Sequence, residues 1–175
     1  MIGLNLNIVG GKVDIINLND FMNSIKKFSD KYDIIIQTFD ANLIYGRDHI
    51  LSAVSHAIRS MEERRNRTNS LGMEILLYAA GERQLKNAIS KIGVKEGENK
   101  DIILLLLDLS NKYNLSKITS EILGTLGIHR DDSVIDGDLE TLIRFGIKQE
   151  EIDTITKHKY GDLILEKIAL VDVMK

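Results

Sequence analysis

Ile102 to Leu107 is an unbroken run of six apolar residues, set between Lys100-Asp101 and Asp108. It is shorter than the roughly ten to twelve residues of a buried helix, so it reads as a strand with both faces covered. A chain that carries such a strand has to supply other elements to pack on it. Ahead of it, Ile2, Leu4, Leu6 and Ile8 alternate with Gly3, Asn5 and Asn7, the period of a half-buried strand. Gly10-Gly11 separates this run from Val13, Ile15 and Ile16, which predicts an N-terminal β-hairpin with a tight turn at the glycines. Phe21, Ile25 and Phe28 have helical spacing, with Asp20 as the expected cap. Tyr32 to Phe39 and Glu74 to Ala79 read as further strands.

Helices are expected from Arg47 to Arg64, where Ile50, Val54, Ala57 and Met61 form an apolar stripe, and from Leu85 to Ile92, stopped by Gly93. Beyond Asp108 the pattern is wholly helical. Leu115, Ile118, Ile122 and Leu126 share one face; Leu139, Leu142, Ile143 and Phe145 follow Asp138; Ile152 and Ile155 mark a short helix; Asp162 opens the last one. No linker or repeat interrupts the series. The expectation is a single α/β domain over residues 1–175, with a mixed or antiparallel sheet flanked by helices and a helical C-terminal third. In the closing helix the apolar residues from Leu163 to Met174 nearly encircle the axis. Such a helix packs on two sides, and either both are internal or one docks a partner.

Composition narrows the function. With 175 residues and 43% apolar content there is enough chain for one good core. The net charge of −3 confines any polyanion contact to a local patch. The absence of cysteine removes disulfides, thiolate nucleophiles and cysteine-bound zinc. No apolar run reaches the roughly 18 residues of a membrane span, and no leader pattern opens the chain, which reads as a soluble cytoplasmic protein. There is no Trp, and Phe and Tyr are few, which disfavours an aromatic base-stacking sheet.

Few residues group into recognisable chemistry. Gly10-Gly11-Lys12 lacks the spacing of a phosphate loop. His129-Arg130-Asp131 spells the start of a kinase catalytic loop, but Asp136 stands where that motif needs Asn. His49 and His56 are too far apart along one helix to share a metal ion readily. No serine lies in a nucleophile elbow. The reading is a non-enzyme, without cofactor or metal.

Positive charge, by contrast, gathers in one place. Arg59, Arg64, Arg65 and Arg67 crowd the end of a predicted helix, and Arg83 opens the next one, where the helix dipole does not favour a cation. Guanidinium groups fork to phosphates and stack on bases, and exposed amides at a helix start also receive phosphate. The plain alternative is a set of idle cations at a helix C-terminus, partly neutralised by Glu62 and Glu63.

The segment Arg67-Thr68-Asn69-Ser70-Leu71-Gly72-Met73-Glu74-Ile75 resembles the Arg-Thr-x-Ser-x-x-x-Glu-Ile segment of the TPRKB family, the small kinase-binding subunit of the KEOPS complex. Gly81-Glu82-Arg83-Gln84 and Ala88 to Val94 continue the likeness, and Ile103 to Asp108 matches the family's next strand. Motif agreement runs from Asp40 to Asp108; elsewhere only the order of elements agrees. The resemblance implies a non-catalytic subunit in tRNA threonylcarbamoyladenosine modification. Such a subunit binds an atypical kinase/ATPase and, in archaeal members, the single-stranded CCA end of tRNA. Arg67, Ser70, Glu74, Arg83 and Gln84 carry over as RNA-binding positions, joined on charge by Arg59, Arg64 and Arg65. The resemblance makes the C-terminal helix the docking element for the kinase. Ile152, Ile155, Leu163, Ile164, Ile168, Leu170 and Val171 are the candidate contacts. A structural adaptor that regulates the kinase without touching RNA is the alternative.

Overall fold

The computed structural model describes residues 3–173. Ile2 and Met174, expected in the first strand and last helix, lie outside them. The chain forms two compact units, one built from the residues up to Ala41 with Val94–Val134, the other from Asn42–Gly93 with the residues from Ile135 onward.

The first unit holds an antiparallel sheet of four strands, β1 (Asn5–Ile15), β2 (Ile35–Asp40), β3 (Gly97–Asp108) and β4 (His129–Arg130), in the order β2-β3-β1-β4. The apolar run sits centrally in β3, and Ile102 to Leu107 are each at most 1% exposed, so both faces of the strand are covered. Val9 and Val13 of β1 and Leu104 and Leu106 of β3 share a core with Phe21, Ile25 and Phe28 of helix α1 (Leu18–Tyr32) and Ile118 and Ile122 of helix α5 (Leu115–Leu126).

The expected hairpin at Gly10-Gly11 is one continuous strand. Gly10 faces Ile103, and Gly11 faces Ile102 on one side and Arg130 on the other. A Cβ at Gly11 would lie 2.5 Å from Ile128 Cγ2 and 2.9 Å from the His129 carbonyl oxygen. Glycine here admits the close approach of β4 and makes no turn. β4 itself departs from the wholly helical pattern expected after Asp108. Two residues are too few to show a period, and Asp131 N–H donating to Gly10 O (2.9 Å) ties them down. Tyr32 ends α1 and does not open a strand; the cap of that helix is Asn17, whose side chain accepts from Asp20 N–H, and Asp33 closes it at φ 50°.

The second unit is helical: α2 (Gly46–Glu62), α3 (Leu71–Ala80), α4 (Leu85–Ile92), α6 (Leu139–Phe145), α7 (Gln149–Ile152) and α8 (Tyr160–Val173). The strand expected at Glu74 to Ala79 is α3. Every residue from Glu74 to Ala80 is buried, so the segment has no polar face and no visible period. Its ends carry the signal instead. Ser70 Oγ accepts from Met73 N–H (3.1 Å), and Gly81 closes the helix in the left-handed region at φ 65°. α3 packs against α2, α4 and α8. α8 in turn packs on α2, α3, α6 and α7, which buries Ile164, Ile168 and Val171 completely. Its outward stripe is Glu166, Ala169 and Val173, flanked by half-buried Leu165 and Leu170.

Candidate nucleic-acid interface

The helical unit gathers the arginines by the way α2 ends. Arg64 N–H donates to Met61 O (3.2 Å) and Arg65 N–H to Ser60 O (2.8 Å), the paired bonds of a Schellman turn. Arg64 occupies its left-handed position at φ 58°. The chain then wraps over Glu74. This carboxylate has no exposed surface, yet it accepts from the Ser60 hydroxyl (3.1 Å), Arg67 N–H (3.2 Å), Thr68 N–H (3.1 Å) and the Thr68 hydroxyl (2.9 Å). One buried carboxyl group thereby takes up donors from α2, Arg67 and Thr68 and fixes the path of the loop. Ser60 and Glu74 have the chemistry of a nucleophile and base, but neither is exposed and the carboxylate is fully engaged.

After α3, the Gly81 turn brings Glu82, Arg83 and Gln84 round to the start of α4. Arg67, Gly81, Glu82, Arg83, Gln84 and Asn87 line a recess of about 470 Å³. Arg67, Arg83 and Gln84 are thus brought together although they lie on different sides of α3. Arg83 is exposed at the rim, while Glu82 leans towards Lys91 (3.8 Å), whose ammonium covers the Phe145 ring. Burial lowers the pKa of Lys91.

The other positions read as RNA-binding lie elsewhere. Arg59 and Arg64 are exposed beside the loop and do not line the recess. Arg65 is paired with Glu63 (2.6 Å) and Asp172 (3.2 Å), which raise its pKa. Ser70 caps α3. Glu74 lies beneath the loop, facing no solvent. Among the positions read as kinase contacts, Ile152, Leu163, Ile164, Ile168 and Val171 are buried, and Ile155 and Leu170 keep part of their surface.

Sequence reading missed Asp172, the centre of a polar cluster on the last turn of α8. Its carboxylate accepts from the Tyr78 hydroxyl, from Arg65, and pairs with His56 Nδ1 (2.8 Å). Burial pushes this carboxyl upward, but the bonds from Tyr78, His56 and Arg65 outweigh it and leave its pKa below the ordinary value. His56 stacks on the Tyr78 ring at 5.4 Å. No linear signal joins residues this far apart; only an acid in the last turn of a helix, where the dipole disfavours it, hints at a special partner. His49 is also internal. Its Nδ1 accepts from Tyr45 N–H (2.9 Å), Nε2 donates to Ala79 O (2.7 Å), and burial pulls its pKa down to about 4.

A second recess, of about 500 Å³, opens by Tyr45, Arg47, Asp48, Asp136, His158 and Asp162. Its mixed charge, with three carboxylates, suits an anion less well than the arginine recess. Among the described residues no group of three His, Cys, Asp or Glu could hold a metal ion. No helix among them is long and apolar enough to cross a membrane.

Fold and site together define a small α/β protein whose helical unit presents an arginine-walled recess. The chain belongs to the CGI-121 family, described as kinase binding protein CGI-121, whose model matches residues 13–172. Its similarity extends to the Regulatory protein Cgi121 of the archaeon Methanocaldococcus jannaschii. The two are 32% identical over 141 residues, covering 79% of this chain and 84% of the relative.

Proposed function

We propose that this protein is the non-catalytic small subunit of a KEOPS tRNA threonylcarbamoyladenosine-modification complex. In this reading it docks the kinase/ATPase subunit and recruits tRNA by its single-stranded 3′ CCA end in the cytoplasm. The observation that carries the RNA part is the meeting of Arg67 and Arg83 across one recess, with Gln84 and Asn87 on its wall. Two forked cations on one recess suit the phosphates of an unpaired strand, and the side-chain amides of Gln84 and Asn87 suit base edges. Family membership supports the kinase part, and the outward stripe of α8 offers the surface, with Leu170, Ala169 and Val173 at its apolar end.

With Arg64, Arg67 and Arg83 each neutralising one phosphate, log K falls by about 2 per tenfold rise in salt, or about twentyfold between 50 and 200 mM. The decisive experiment compares a tRNA with the same tRNA lacking CCA at one salt concentration. Tight binding that disappears with the tail supports recruitment; equal binding of both, or of neither, refutes it. A kinase adaptor without RNA contact is the second reading. The observation in its favour is that Glu63 and Asp172 already neutralise Arg65.

A further inference from the structure

The last turn of α8 carries two anchors for the arginine loop. Asp172 accepts from Arg65 (3.2 Å), and the Val171 carbonyl accepts from the Arg67 guanidinium (3.3 Å). Arg67 therefore bonds the backbone of α8 while it also lines the recess. Asp172 is a negative charge at the negative end of the helix dipole. It is kept there by Tyr78, His56 and Arg65, which reach it from α3, α2 and the loop. Ala169 and Val173, on the same turn, face outward. The turn that offers an apolar surface to a partner is therefore the turn that holds two arginines of the loop.

We infer that Asp172 is a positioning residue through which partner docking on α8 and RNA binding at the arginine recess strengthen one another. The inference rests on the function proposed above. Arg65 and Arg67 keep their orientation only while this turn holds their two acceptors in place. A partner covering Ala169, Leu170 and Val173 fixes the turn, and Asp172 and Val171 pass that order to the loop before RNA arrives. The RNA then pays less ordering entropy, and reciprocity makes bound RNA tighten the partner equally.

The test uses the full chain, the purified kinase/ATPase subunit and a CCA-ended tRNA. In the wild type, saturating kinase tightens tRNA binding about five- to tenfold and slows amide exchange in residues 63–70. In Asp172→Asn the kinase still binds, but the enhancement and the added protection fall away. Tyr78→Phe, which removes one hydroxyl from the cluster, weakens the enhancement part-way and serves if the first variant fails to fold. A general loss of stability would alter the separate affinities without abolishing their ratio. Unaltered enhancement in Asp172→Asn, or a loop whose exchange ignores kinase binding, overturns the inference. No tRNA affinity with or without kinase refutes the function proposed above and the inference with it, whereas tRNA binding that kinase does not enhance overturns the inference alone.

Discussion

Replacing Arg64 with glycine should make the protein more stable and a poorer RNA binder. Arg64 has φ 58°; the other non-glycine residues at positive φ among the described residues are Asp33, Asn99 and Asn111, the types that tolerate this region. A left-handed conformation costs an L-residue with a full Cβ about 1–2 kcal/mol. Glycine removes that cost but gives the unfolded chain extra freedom worth about 0.5–1 kcal/mol. At the middle of both ranges the difference favours Arg64→Gly by about 0.75 kcal/mol, because the two Schellman bonds from Arg64 and Arg65 are made by the backbone and survive. For a chain of this size that raises the melting temperature by about 1–4 °C. RNA affinity moves the other way, as one exposed cation beside the recess is lost and the salt slope shrinks by about 0.7. Calorimetry and tRNA titrations at two salt concentrations read both quantities. A variant that melts below the wild type would refute the strain argument, since Arg64 would then make contacts that outweigh its backbone. A more stable variant with the wild-type salt slope would show that its charge faces no phosphate.

Three further outcomes follow from the same geometry. Glu74→Gln turns an amide towards donors that need an acceptor and should cost about 2 kcal/mol in urea unfolding, with faster exchange at Arg67 and Thr68; unchanged exchange there would show that the loop does not depend on the carboxylate. His49 has a folded pKa of about 4 against 6.5 when free, so the unfolded chain binds its proton first as pH falls. Its contribution, about 3 kcal/mol, is complete above pH 6.5 and lost towards pH 4, and a His49 imidazole resonance, assigned by its loss in a His49 variant, that titrates near 6.5 would contradict this. Gly11→Ala drives a methyl into Ile128 and the His129 carbonyl, so it should destabilise by about 1–3 kcal/mol and speed exchange of the Asp131 amide. A fully stable variant would mean that β4 shifts freely.

Much of the architecture could be read linearly where burial is one-sided or complete over a short span. α2, α4 and α6 show their stripes or caps, and the run in β3 declares a central strand. α3 could not be read by period because every side of it is buried, and its Ser70 and Gly81 caps were the only local signs. Gly10-Gly11 misled because glycine serves both turns and close strand approach, and only the position of β4 separates the two.

The site divides in the same way. Charge along the chain located the arginines, since cations packed into a few residues of an acidic protein stand out without any knowledge of the fold. Tertiary structure decided what each one touches. It placed Arg67 and Arg83 on one recess, turned Arg65 towards Asp172, and sank Glu74 beneath the loop. Composition and periodicity are sums over neighbours in sequence, so they register where charge and apolar residues accumulate. Which carboxylate meets which guanidinium depends on the packing of α8 against α2 and α3, brought together from more than a hundred residues apart between Arg65 and Asp172, and no local pattern encodes that pairing.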